Sequence, residues 1–157
     1  MEKLQALYDL AEQHNIGVYF YDLGDAEAAA VQDGNFCAIA LNPRCNQTPQ
    51  SELEHLSHEM GHIETGTLHA PSATPGDILR NEYRCTAWVV HHLIPIDELL
   101  EVIDYGYTEV WELAEYFGVS EECILDAVSA FSQRRSFFFL RSQLPAAGFL
   151  FPPTKSA

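Results

Sequence analysis

His58, Glu59 and His62 stand together as His58-Glu59-Met60-Gly61-His62, an H-E-x-x-H stretch inside a segment that reads as helix. Histidines four apart project from one helical face, so both imidazoles can meet one metal ion. The glutamate beside the first can then reach a water on that metal. This is the minimal equipment of a zinc hydrolase, usually a peptidase. Five positions also recur by chance, and two histidines at this spacing can simply face solvent. The surrounding chain has to decide.

A catalytic zinc takes three protein ligands and keeps one position open. Two residues compete to be the third. His69 ends the run His62-Ile63-Glu64-Thr65-Gly66-Thr67-Leu68-His69, which looks like an H-x-x-G-x-x-H tail with one residue too many before Gly66. Glu82 shares a helical stripe with Cys85, Val89 and Leu93, where a carboxylate is costly unless paired or metal-bound. A salt bridge to Arg80 or Arg84, or the favourable dipole of a helix's first turn, accounts for Glu82 equally well. The residues alone leave the choice open.

These groups need elements to hold them. Leu4, Leu7, Tyr8 and Ala11 give an apolar stripe that predicts a helix near 2–14. Residues 16–21 are rich in β-formers and read as a strand. Residues 28–32 and 36–41 flank Asp33-Gly34, a tight-turn signal, and Asn42-Pro43 ends the second strand. Thr48-Pro49 opens the motif helix, with Thr48 as cap and Pro49 in the first turn, and Gly66 closes it. On that helix Leu53, Leu56, Met60 and Ile63 take one side while His58 and His62 take the other. A loop over 69–77 leads to a helix near 78–93 that stops at Pro95. From Ile96 the pattern is helical. The expected fold is α+β: an N-terminal helix, a small antiparallel sheet, the motif helix, a glutamate-bearing helix and a C-terminal helical part.

The chain has 157 residues, enough for one domain with a real core. Its net charge of −15 argues against a non-specific nucleic-acid binder and disfavours anionic membranes. Cys37, Cys45, Cys85 and Cys123 are scattered, and the N-terminal stretch has no apolar core of a signal peptide. No run approaches the length that spans a bilayer. Reduced thiols and a cytoplasmic location are expected.

Four segments resemble the ImmA/IrrE family of metallopeptidases. Residues 56–62, Leu-Ser-His-Glu-Met-Gly-His, look like its L-x-H-E-x-G-H core. Glu82-Tyr83-Arg84-Cys85-Thr86-Ala87-Trp88-Val89, running on to Leu93-Ile94-Pro95, looks like its E-x-x-A-x-x-F-A-x-x-L-L-x-P segment. Residues 36–43 resemble its upstream strand ending in Asn-Pro. Residues 113–120 resemble its L-A-x-x-F-G-V-S segment. The resemblance spans about residues 2–130. Cys85, Thr86 and Val89 depart from it at packing positions.

The resemblance implies a mini-zincin of the gluzincin type. His58, His62 and Glu82 would hold Zn2+, and Glu59 would be the general base. A core over 1–95, a helical subdomain over 96–135 packed on it, and an apolar tail over 136–157 are the expected divisions. In zincins generally the substrate lies along the edge strand before the motif helix, a role that falls here to residues 37–41. His69, Tyr83 and Tyr21 are conceivable oxyanion donors. Glu54, Glu64, Asp77 and Asp104 are carboxylates available to orient the histidines, while His55 is expected to be solvated.

The implied activity is zinc-dependent endopeptidase action on a helix-turn-helix repressor of a prophage or integrative element, giving transcriptional derepression. A basic regulator would suit the acidic surface. The alternative is a non-catalytic zinc-binding module that engages a repressor or toxin–antitoxin partner, with a closed four-ligand site. Residues 113–131 have a helix-turn-helix outline of their own, but their second helix begins with Glu121 and Glu122 and carries Asp126. No direct nucleic-acid contact is expected there.

Overall fold

The N-terminal stripe folds as expected. Leu7 and Ala11 are buried on α1 (Glu2–Gln13), and Asn15 ends the helix in a left-handed conformation, φ 57°. Three strands follow: β1 (Ile16–Phe20), β2 (Ala28–Asp33) and β3 (Phe36–Leu41). This computed structural model describes residues 2–70 and 72–132. The apolar tail expected over 136–157 lies outside them.

The sheet order is β1-β3-β2. β2 and β3 form the expected antiparallel hairpin, with Gly34-Asn35 between the closing pair Asp33 and Phe36. Gly34 takes φ 59°, the left-handed value a primed turn requires at its first central position. β1 pairs parallel with β3, so the sheet is mixed and not antiparallel as expected. The reason is the connection over 21–27. It carries the chain past β3 to the far edge, so β2 descends there and β3 returns between the other two. The inward faces still agree, since Ile16 and Val18 share register with Cys37 and Ile39. Ile39 and Leu41 are fully buried.

The connection over 21–27 is held by two buried amides. Asn42 Nδ2 donates to the carbonyls of Gly24 and Ala26 at 3.0 and 2.8 Å. Asn46 Nδ2 donates to the carbonyls of Glu27 and Asn42 at 3.0 and 2.8 Å. His55, expected to be solvated, is half-buried instead. Its ring lies 2.8 Å from Asn46 Oδ1 and 3.2 Å from Glu27 Oε2.

α2 (Pro49–Thr65) carries the motif. Thr48 caps it, exchanging hydrogen bonds with Ser51, and Pro49 occupies the first turn. Leu53, Leu56 and Met60 are buried, while Ile63 is only half-buried. Burial of each such side chain contributes on the order of 1.5–3 kcal/mol, which sets the rotation of the histidine face. Two side-chain contacts fasten α1 and the turn that follows it to α2. Tyr8 Oη donates to Glu52 Oε1 at 2.5 Å, and His14 Nδ1 meets Glu64 Oε1 at 2.5 Å.

α3 (Pro75–Leu93) starts three residues before the expected Ile78. Thr74-Pro75 repeats the signal of Thr48-Pro49. The Asp77 N–H donates to Thr74 Oγ1 while Thr74 N–H and O–H donate to Asp77. The chain divides within α3, between Val89 and Val90, into two compact units.

The second unit contains α4 (Ile96–Asp104), α5 (Val110–Phe117) and α6 (Glu121–Ser132). Leu99, Leu113, Ile124 and Phe131 are among its buried side chains. Gly118 caps α5, and Ser120 Oγ accepts the Cys123 N–H at the head of α6. The α+β class is borne out. No described helix is long and apolar enough to cross a membrane.

Candidate metal centre

α2 and α3 approach closely at Gly61. A Cβ there would come within 2.9 Å of Cys85 Sγ and 3.3 Å of its carbonyl oxygen. Only hydrogen fits. That approach brings Glu82, one turn before Cys85, against the histidines of α2.

His58 Nε2 and His62 Nε2 lie 3.1 Å apart. Glu82 Oε2 is 3.7 Å from the first and Glu82 Oε1 is 3.5 Å from the second. Two imidazole nitrogens and a carboxylate therefore converge on one small volume, from two helices. Burial is the largest cause lowering the pKa of both histidines. A neutral imidazole is the form that ligates a metal, and two nitrogens with a carboxylate are a donor set zinc accepts. The residues fit the ion.

The two histidines are held differently. His62 is 5% exposed, and its Nδ1 lies 3.0 Å from Thr67 Oγ1. His58 is more open, with Cys85 Sγ at 3.8 Å from its Nδ1. Cys85 could join a three-donor group with the histidines, as His69 could with His62 and Glu82. The thiol is the weaker candidate. It already donates to the His58 carbonyl at 3.1 Å, burial pushes it up to about 12, and it faces the nitrogen turned away from Glu82.

His69 lies in the cleft, where its Nε2 meets Glu82 Oε1 at 2.6 Å. Gly66, a misfit for the H-x-x-G-x-x-H tail, is the left-handed cap of α2 at φ 62°. Tyr83 and Tyr21 are exposed and do not line the cleft. The carboxylates considered as orienting groups are placed otherwise. Glu64 meets His14, Asp77 caps α3, Asp104 belongs to α4, and Glu54 accepts the Gln50 amide at 3.4 Å. Thr67 was missed, because a search for carboxylates passes over a hydroxyl.

Glu59 lines the same cleft of about 540 Å³. Burial pushes its carboxyl up to about 7; the Ala30 backbone N–H opposes the rise and the nearby Glu82 charge adds to it. The other wall is β2, at Ala29, Ala30, Val31 and Gln32. This corrects the expected substrate strand. Residues 37–41 form β3, the central strand, paired on both sides. The open edge beside the site is β2. Asp33 and Phe36 close the hairpin, and the Asn42 N–H reaches Glu27 O at 2.9 Å, so odd-numbered residues of β2 point inward to β3. Ala28, Ala30 and Gln32 point outward, consistent with the Ala30 amide meeting Glu59.

The model of the peptidase family Peptidase_M78, described as the IrrE N-terminal-like domain, matches residues 11–129. No curated protein and no solved structure matches the chain.

Proposed function

The chain belongs to the family of the IrrE N-terminal-like domain, and from that premise we propose that it is a zinc-dependent endopeptidase acting in the cytoplasm on a helix-turn-helix repressor. Membership itself supports a metallopeptidase-type function. The observation that carries the finer reading is the convergence of His58 Nε2, His62 Nε2 and the Glu82 carboxylate in one cleft with Glu59.

His58, His62 and Glu82 would hold the ion. Bound zinc supplies Lewis acidity, acidifying water and polarising a carbonyl. Glu59 accepts the proton of the attacking water and delivers it to the leaving amine. Apart from the Ala30 N–H, which meets Glu59, the outward carbonyl and amide groups of β2 pair with an extended peptide by strand addition. Ala28, Ala29 and Ala30 project little, so this edge reads backbone more than side chains. His69, the cleft histidine, donates to the oxyanion. The net charge of −15 favours encounter with a basic regulator of a mobile element, whose cleavage would derepress its genes.

A second reading rests on His69. Its 2.6 Å contact with Glu82 permits a closed four-ligand site, as in a non-catalytic regulatory module.

Metal content and cleavage of candidate repressors, measured together, test the proposal. Wild type is expected to bind about one zinc. Glu59→Gln keeps the metal and loses roughly 10²–10⁴-fold in cleavage. His58→Ala and Glu82→Ala lose the metal. Zinc retained without Glu82 moves the third ligand to His69, and full turnover by Glu59→Gln removes the base assignment.

A further inference from the structure

The turn after α2 does more than end a helix. Gly66 N–H donates to Ile63 O at 3.2 Å and Thr67 N–H to His62 O at 2.9 Å, the paired bonds of a Schellman cap. That geometry folds Thr67, fully buried, back beneath the His62 ring.

Counting protons fixes the direction of the hydrogen bonds. The Gly61 carbonyl can only accept, and Thr65 Oγ1 lies 2.6 Å from it, so the Thr65 proton is committed there. Thr65 Oγ1 is also 2.7 Å from Thr67 Oγ1. With the Thr65 proton used, the Thr67 hydroxyl is the donor in that pair. The Thr67 proton is then used as well. Its remaining contact, 3.0 Å to His62 Nδ1, has to be received from an N–H. His62 is thus the Nδ1–H tautomer, with the Nε2 lone pair turned toward His58 and Glu82.

We propose that Thr67 and Thr65 are positioning residues that lock His62 in its ligating tautomer, through a relay that ends on the backbone carbonyl of Gly61. This rests on reading His58, His62 and Glu82 as the metal centre. A buried acceptor beside a metal-ligating imidazole orients the ring and raises its basicity, a role most often filled by a carboxylate or a carbonyl. Here a hydroxyl fills it, and it can do so only because its own proton is taken by Thr65. The Thr67 backbone also hydrogen-bonds the His62 ring, and the test has to separate that contact from the hydroxyl.

Thr67→Val keeps shape and backbone and removes only the hydroxyl. Thr67→Ser keeps the hydroxyl. Thr65→Val leaves Thr67 intact but frees its proton to face His62 Nδ1, inverting the signal. Two readouts apply. One is the ring-nitrogen NMR shifts of His62 in the metal-free protein, and the other is zinc affinity by chelator competition. The expected result is an Nδ1–H tautomer in wild type and Thr67→Ser. In Thr67→Val the tautomers mix, in Thr65→Val they shift toward Nε2–H, and zinc affinity falls roughly 10–100-fold in both. An unchanged tautomer and affinity in Thr67→Val overturns the proposal, since the backbone contact would then suffice. Equal losses in Thr67→Ser and Thr67→Val overturn it too, since volume and not the hydroxyl would be at work. A wild-type protein that binds no zinc sinks the metal-centre reading, while the metal-free spectrum still decides the relay.

Discussion

The two units of this chain fill their interiors with different chemistry. Among the described residues, the buried polar side chains are Asn42, Asn46, Ser57, His62 and Thr67, all in the first unit. From Val90 to Phe131 the buried side chains are wholly apolar. A buried polar group without a partner costs a few kcal/mol, so each has to be met by a specific neighbour. In the first unit those neighbours are found: the Asn42 and Asn46 amides take loop carbonyls, and Thr67 takes His62. The interior of the second unit is filled by packing, with side-chain hydrogen bonds at its helix ends, as where Ser120 Oγ accepts the Cys123 N–H. Polar interiors are where this protein fixes direction and protonation. Apolar interiors are where it fixes only shape.

The largest effect that could break this contrast lies in the second unit. Phe131 is fully buried, with the His91 ring at 5.2 Å from its own. Phe131→Ala should cost roughly 3–5 kcal/mol in denaturant unfolding. Zinc affinity of the molecules that remain folded should match wild type, because every candidate ligand precedes Val90. A weakened zinc site in the folded fraction would show that the apolar unit also sets site geometry.

Asn42→Ala asks the converse question, with a smaller cost. It strands the carbonyls of Gly24 and Ala26 and the Arg44 amide, which donates to Asn42 Oδ1 at 3.1 Å. A loss of roughly 1–3 kcal/mol is expected. The loop over 21–27 leads into β2, so hydrogen exchange at the Ala29 and Val31 amides should quicken with it. Loss of stability with β2 protection unchanged would mean that the amide braces the loop and not the cleft wall.

Legibility in the sequence follows the range of the interaction. Signals within one turn of helix could be read: Thr48-Pro49 at the start of α2, Gly66 at its end, and the shared face of His58 and His62. The α+β class followed from them. Pairing across the chain could not. The β-formers of residues 16–21 mark a strand but not its partner, so the parallel union of β1 with β3 was missed, and with it the identity of the exposed edge. Glu82 gained its place beside the histidines from family resemblance, because its own stripe on α3 suits a salt bridge equally well. The hydroxyl relay was hidden for another reason. Thr65 and Thr67 are ordinary residues until Gly66 reverses the chain between them.

That glycine has a counterpart in the other unit, and the pair gives the finest comparison. Gly66 and Gly118 both cap helices in the left-handed conformation, at φ 62° and 68°, and neither would clash through an added Cβ. Thr67 N–H returns to His62 O at 2.9 Å, and Val119 N–H returns to Ala114 O at 3.0 Å. Backbone strain is therefore the same in Gly66→Ala and Gly118→Ala, about 1–2 kcal/mol in each. The residues placed by the two turns differ. Val119 is buried among apolar neighbours and needs only to be covered, whereas Thr67 has to present one oxygen to one nitrogen. Equal losses of stability with a fall in zinc affinity only for Gly66→Ala would show that the first cap is tuned to direction. Unchanged zinc affinity in both would mean that Thr67 tolerates displacement, and that its placement by the Gly66 cap is not what orients His62.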